Sequence, residues 1–224
     1  MKKYTTIIFD LDGTLLNTLE DLTDSTNYAL QQYGLPARTL EEVRQFVGNG
    51  IMKLIQRAVP VGTEEKVTDE VFSCFKAYYT AHCSRKTAPY PGIVQMLREL
   101  QTKGYRLAIV SNKAHEAVRE LAVQYFPEMM DAVMGEQEAA GIHKKPAPDM
   151  VNAVMHQLHS NREETLYIGD SEVDKATADH AGLDCLLVTW GFREKERLAA
   201  LQPTGMADSA AEVLAFIEAE ANIL

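Results

Sequence analysis

Apolar residues in this chain gather in short unbroken runs: Thr6-Ile7-Ile8-Phe9, Leu107-Ala108-Ile109-Val110, Leu166-Tyr167-Ile168 and Cys185-Leu186-Leu187-Val188, with a weaker one at Ala132-Val133-Met134. A strand with one wet face alternates apolar and polar residues, and these runs do not. Continuous runs of this length predict strands buried on both faces, the pattern of a parallel sheet. Segments with helical spacing separate the last four runs. Residues 91–103 stop at Gly104, residues 113–125 and 149–159 follow, and residues 172–181 stop at Gly182. Glycine is a favoured residue just past a helix end. Strands alternating with helices predict an α/β fold with a doubly wound, Rossmann-like parallel sheet.

The interval 16–85 breaks this rhythm. Leu19, Leu22, Thr26, Ala29, Leu30 and Tyr33 recur at spacings of three and four, and Gly34 closes the segment. Residues 40–47, 51–59 and 64–84 carry helical patterns too. So long a helical stretch between the first strand and the next predicts an inserted α-helical domain at 16–85, splitting the α/β core into 1–15 and 86–224. An ordinary helical excursion packed on one sheet face is the other reading. With an insert, the joints fall near residues 15–18 and 84–90.

Composition and charge narrow the class. The chain has 224 residues, 46% hydrophobic and 24% charged, which fits a globular protein and excludes a disordered chain, a collagen-like repeat or a coiled coil. No apolar run approaches the roughly 18–20 residues of a membrane span. The basic start Met1-Lys2-Lys3 leads into an apolar stretch that stops at Asp10, too short for a signal-peptide core, so a cytoplasmic location is expected. The net charge is -10, and no stretch is rich in Lys and Arg. Nucleic acid and anionic membrane are therefore not expected partners, and an anionic substrate must be held by a local site. The three cysteines, Cys74, Cys83 and Cys185, lack metal-ribbon spacing and are expected to be free thiols.

Chemistry concentrates where the apolar runs end. Phe9-Asp10-Leu11-Asp12-Gly13-Thr14 sets two carboxylates directly after the first strand. Ligands of open α/β sheets bind at the carboxyl ends of strands. Acids there are costly unless they bind a cation or do acid–base work. Ile109-Val110-Ser111-Asn112-Lys113 ends a strand in a hydroxyl and predicts a helix N-terminus able to cradle phosphate, although Ser is also a common helix cap. Gly169-Asp170-Ser171-Glu172-Val173-Asp174 brings an acid at a strand end and a second one turn into the next helix. Hard oxygen ligands at this density favour Mg²⁺ over zinc. His143-Lys144-Lys145-Pro146-Ala147-Pro148 places a lysine in a proline-stiffened loop.

In order and context these four elements resemble the haloacid dehalogenase (HAD) superfamily of phosphohydrolases, over essentially the whole chain. Asp10 to Thr14 matches the family's DxDGT motif, Ser111 its hydroxyl, Lys145 its lysine, and Gly169-Asp170-Ser171 with Asp174 its acidic motif. The helical insert resembles the cap of the phosphoglycolate phosphatase-like branch, as do Pro89-Tyr90-Pro91-Gly92 and Thr189-Trp190-Gly191. The resemblance implies that Asp10 is a nucleophile forming an aspartyl-phosphate and that Asp12 is the acid–base partner. It implies Mg²⁺ on the Asp10 carboxylate, the Asp12 carbonyl and the Asp170 carboxylate, with Asp174 supporting. Gly13, Ser111, Asn112 and Lys145 would hold the phosphoryl oxygens. An acid at position 12 favours phosphoester over carbon–halogen chemistry.

Substrate choice in such proteins comes from the cap. Here Val47-Gly48-Asn49-Gly50-Ile51 supplies Gly48, Asn49 and Gly50 as specificity candidates, and a plain helix–helix turn fits the same residues. Lys53 and Arg57 lie nearby and could meet a substrate carboxylate or simply be solvated. The expected substrate is a small phosphorylated metabolite, 2-phosphoglycolate first. A β-phosphoglucomutase-like phosphomutase, a pyrophosphatase and a sugar or nucleotide phosphatase are the alternatives. The default assembly is a monomer or weak homodimer.

Overall fold

The computed structural model describes residues 4–219, so Met1-Lys2-Lys3 and residues 220–224 lie outside the description. The chain divides into two compact units, Asn17–Ala88 and the residues before and after it.

The larger unit is built on β1 (Thr6–Phe9), followed after the helical unit by β4 (Arg106–Ala114), β5 (Ala132–Glu136), β6 (Thr165–Gly169), β7 (Asp184–Val188) and β8 (Gly205–Ala207). The short β2 (Leu16–Asn17) and β3 (Ala88–Pro89) pair as a separate two-stranded sheet. The six strands lie in the order β5-β4-β1-β6-β7-β8, all parallel, with Phe9 opposite both Ile109 and Ile168. Alternate residues of the apolar runs face opposite sides. Ile7, Phe9, Leu107, Ile109, Leu166 and Ile168 enter one core with α5 (Ile93–Thr102), α6 (His115–Tyr125) and α10 (Ala210–Ala219). Ile8, Ala108, Val110, Tyr167, Cys185 and Leu187 enter the other with α7 (Asp149–Gln157), α8 (Glu172–Ala181) and α9 (Lys195–Ala199). The sheet is thus doubly wound, and the apolar runs within its strands are unbroken because both faces are covered there.

Two sequence expectations need correction. The helix expected from Lys113 starts at His115, because β4 continues through Ala114 with a register shift after Val110. Ser111 therefore sits in extended chain and not at a helix N-terminus. Second, Cys185–Val188 is not the last strand. β8 follows it, and its Gly-Met-Ala sequence carries no apolar run.

The smaller unit holds α1 (Leu19–Gln32), α2 (Leu40–Phe46), α3 (Ile51–Ala58) and α4 (Glu65–His82) around buried Ala29, Leu30, Val43, Leu54, Ile55, Val71 and Phe75. Thr39 and Glu42 form a capping box on α2. The buried Asp21 carboxylate accepts from the Lys86 and Thr87 amides and the Thr87 hydroxyl, tying the two ends of the unit together. None of the three cysteines is in a disulfide, and Cys83 directly follows α4. No helix among the described residues is long and apolar enough to cross a membrane.

Candidate active site

The carboxyl ends of β1, β4 and β6 bring the motif residues together. Asp10 follows β1, its amide donating to Ile168 O at 2.9 Å, and its side chain is buried. Chain reversal begins at once: Leu15 and Leu16 amides donate to Leu11 O, and Gly13 N donates to Leu16 O. Gly13 has φ +89°, and a Cβ there would stand 2.4 Å from Asp170 Oδ2. Only glycine satisfies both conditions at this turn. Trp190 Nε1 donates to Thr14 O at 3.1 Å and secures the far end of the loop.

Lys145 links three elements. Its buried ammonium contacts Asp10 Oδ1 at 2.8 Å, Asp174 Oδ1 at 2.7 Å and the Tyr167 hydroxyl at 3.1 Å. The Tyr167 hydroxyl donates in turn to Asp174 Oδ1. Asn112 reads the lysine's backbone, its amide oxygen accepting from Lys145 N at 2.8 Å and its NH₂ donating to Lys145 O at 2.9 Å. The Asn112 side chain is thereby committed to holding Lys145, which leaves only its backbone amide for a phosphate. Ser111, buried at the end of the regular part of β4, accepts from Lys113 N.

Ser171 caps α8 and hydrogen-bonds Asp174 Oδ2, which also accepts from the Asp170 amide. The Asp170 carboxylate accepts from Phe192 N at 2.7 Å. Side-chain oxygens of Asp10, Asp170 and Asp174 all lie within 4.8 Å of one another, the one such grouping among the described residues. The pair His156 and His159, three residues apart, takes no part in it.

Burial pushes Asp10 up to about 7, against the pull of the Lys145 ammonium and with repulsion from Asp174 and Asp12 added. Burial likewise drives Asp170 well above the usual carboxylate range, reinforced by Asp174 and Asp10 and opposed by the Phe192 amide and Arg193. Burial works against the charge of Lys145, but Asp10 and Asp174 outweigh it and keep it protonated. Four carboxylates, Asp10, Asp12, Asp170 and Asp174, thus face two ammonium groups, Lys113 and Lys145. Burial raises both Asp10 and Asp170, a cost that a divalent cation would offset, and the cluster of carboxylate oxygens is a hard donor set of the kind Mg²⁺ takes.

Sequence reasoning missed Lys113, whose Nζ is 2.9 Å from Asp12 Oδ1 with 5% of its side chain exposed. It missed the Tyr167 hydroxyl and the close packing of Gly191 on Asp170 as well. A lysine placed directly after Ser-Asn was the available signal for the first, and the other two have none in the linear chain.

The specificity candidates lie in the helical unit. Gly48, Asn49 and Gly50 all have positive φ, 124°, 62° and 88°. Arg57 is spent on this loop: its Nη1 donates to Phe46 O at 2.7 Å and reaches Gly48 O at 3.4 Å. Lys53 is exposed. In the larger unit, exposed His143 pairs with Asp149 through Nδ1 at 2.8 Å.

Residues 7–188 match the family described as haloacid dehalogenase-like hydrolase, and the chain belongs to that family. It is an enzyme of the phosphatase kind within it, similar to phosphoglycolate phosphatases. A phosphoglycolate phosphatase of Cereibacter sphaeroides is 37% identical over 191 residues, 84% of this chain and 86% of that protein. A solved structure from Lactobacillus delbrueckii subsp. bulgaricus, proposed to be a phosphoglycolate phosphatase, superimposes with a TM-score of 0.91 at 36% identity, covering 96% of this chain and 98% of that one. The pyrophosphatase PpaX of Listeria monocytogenes is 29% identical over 221 residues, 97% of this chain and 98% of that protein.

Proposed function

We propose that this chain is a Mg²⁺-dependent phosphomonoester hydrolase that works through an aspartyl-phosphate, on a small phosphorylated acid such as 2-phosphoglycolate. The observation that carries the reading is the Asp10 carboxylate, buried at the end of the central strand and 2.8 Å from the Lys145 ammonium in a cluster with Asp170 and Asp174. Asp10 is the nucleophile: its oxygen forms a bond to phosphorus as the ester P–O bond breaks. Asp12 gives its proton to the departing oxygen, then takes one from the water that hydrolyses the aspartyl-phosphate. Ser111, Lys145 and the backbone amides at Gly13 and Asn112 hold the phosphoryl oxygens as charge redistributes. Asp10, Asp170 and the Asp12 carbonyl would hold Mg²⁺, with Asp174 supporting, and the ion when bound neutralises repulsion between carboxylate and phosphate. The helical unit plays the part of the family's cap, and Gly48, Asn49 and Gly50 choose the substrate.

The test is phosphate release from a panel of 2-phosphoglycolate, pyrophosphate, sugar phosphates and nucleotides, with Mg²⁺ and with EDTA. Release from 2-phosphoglycolate that EDTA abolishes and Mg²⁺ restores is the expected result. Preference for pyrophosphate would move the substrate assignment, and isomerisation without phosphate release would replace the hydrolase by a mutase.

A further inference from the structure

We infer that Lys113 is a positioning residue for the acid–base step: it holds one oxygen of Asp12 so that the other serves the ester's departing oxygen. The inference rests on the hydrolase reading above and adds a residue that the reading does not use.

The geometry is specific. Lys113 Nζ lies 2.9 Å from Asp12 Oδ1, and the exposures of the two side chains are 5% and 17%. A buried ammonium paired with a carboxylate at the mouth of a site has lost most of its competing water, so the pair is directional as well as attractive. The contact engages Oδ1 and leaves Oδ2 available. Asp12 belongs to a tight turn, and its carboxylate would otherwise rotate about a soft terminal torsion.

The backbone carrying Lys113 is itself fixed. Ser111 Oγ accepts from Lys113 N at 3.2 Å. The extended stretch continues through Ala114 with its register shifted after Val110, which is why Lys113 is in the strand extension and not in α6. Behind it runs Gly135, where a Cβ would come within 2.6 Å of Lys113 O, and the Gly135 amide donates to His115 Nδ1. The irregular end of β4 and the neighbouring strand β5 thus pack together under the lysine. Lys145 has a different assignment, Asp10 and Asp174, so the two ammonium groups divide the carboxylates between them: Lys145 serves the nucleophile and Lys113 the proton donor.

In the first step the P–O bond to the leaving group breaks, the P–O bond to Asp10 forms, and the Asp12 proton passes to the leaving oxygen. A poor leaving group needs that proton and a good one does not. The experiment therefore compares kcat/KM for 2-phosphoglycolate, whose leaving oxygen is an alkoxide, with that for p-nitrophenyl phosphate, in wild type, Lys113→Met and Lys113→Arg. kcat/KM reports steps through phosphoenzyme formation, so the later water attack does not enter it. Lys113→Met is expected to lose about 100-fold or more on 2-phosphoglycolate and less than about 10-fold on p-nitrophenyl phosphate, the range general acid catalysis commands. It should also give a burst of p-nitrophenol followed by slow turnover. Lys113→Arg should recover part of the loss. In an Asp12→Asn background, where turnover stops but the p-nitrophenol burst remains, Lys113→Met should slow that burst by no more than about threefold further, since it acts through Asp12.

Equal losses on the two esters would overturn the inference, because a general loss of folding or of phosphate binding has no leaving-group dependence. A further loss of tenfold or more in the Asp12→Asn background would overturn it as well. Wild-type enzyme that hydrolyses neither ester with Mg²⁺ would instead sink the hydrolase reading, and this inference with it.

Discussion

Replacing Gly191 with alanine tests whether close backbone packing fixes the acidic centre. An added Cβ would stand 2.3 Å from Asp170 Oδ2 and 2.6 Å from its Cγ, whereas ordinary contact begins near 3.4 Å. The carboxylate must retreat by about 1 Å in a region packed without spare volume. Its present place is set by the adjoining Phe192 amide at 2.7 Å, so the retreat also stretches that hydrogen bond. Overpacking of this kind costs about 1–3 kcal/mol and lowers the melting temperature by roughly 3–10 °C in a chain of this size. The sharper signature is in metal binding. Disturbing the groups that orient a ligand weakens affinity by about 10- to 100-fold. At a Mg²⁺ concentration of about 100 times the wild-type Kd, binding stabilises wild type by about 2.7 kcal/mol, while a hundredfold weaker variant gains only about 0.4 kcal/mol. Thermal melts of both proteins across a Mg²⁺ titration, with calorimetric Kd values beside them, measure this directly. A Gly191→Ala protein with wild-type melting temperature and wild-type Mg²⁺ affinity would refute the reasoning.

Other outcomes follow from the same geometry. Asp10→Asn should abolish phosphate release, below about 0.1% of wild type by a colorimetric phosphate assay, while circular dichroism stays unchanged. Asp12→Asn should accumulate phosphoenzyme from p-nitrophenyl phosphate, seen by intact-mass spectrometry as added phosphate, and should fail to turn over. In the helical unit, Asp21→Ala strips the acceptor from the Lys86 and Thr87 amides and the Thr87 hydroxyl, so it should cost about 2–4 kcal/mol in denaturant unfolding. Asp21→Asn should recover part of that through its amide oxygen.

What could be read from the linear chain was whatever local pattern determines. Residues 7–9 in β1, 107–110 in β4, 166–168 in β6 and 185–188 in β7 are buried by helices on both faces, and that leaves unbroken runs in the sequence. β8 leaves none: Gly205, Met206 and Ala207 pair on one side only and are half-buried at two of three positions. The acids were legible because Asp10 and Asp12, and Asp170 and Asp174, sit in short segments beside strand ends. The start of α6 was misread because Ser111-Asn112 has the chemistry of a helix cap. A lysine two residues on, paired to Asp12 from 101 positions away, belongs instead to the extended chain. Contacts of that kind have no local trace. The same holds for the Tyr167 hydroxyl on Lys145 and for Gly191 against Asp170, which exist only once strands from distant parts of the chain are side by side.

The sheet order also bears on how the protein is made. β1 lies between β4 and β6, yet Gly169 is synthesised 160 residues after Phe9. At about 5–20 residues per second, the edge of β1 that β6 will cover stays without its partner for on the order of 10–30 s on the ribosome. Its four residues, Thr6-Ile7-Ile8-Phe9, are all buried in the finished fold, so that waiting edge is open to wrong pairing in the nascent chain. The three-carboxylate cluster cannot assemble before Asp170 and Asp174 have emerged. On the proposed function, a metal would bind and activity would appear only after that, so the onset of activity during synthesis or refolding would time the pairing of β6 with β1.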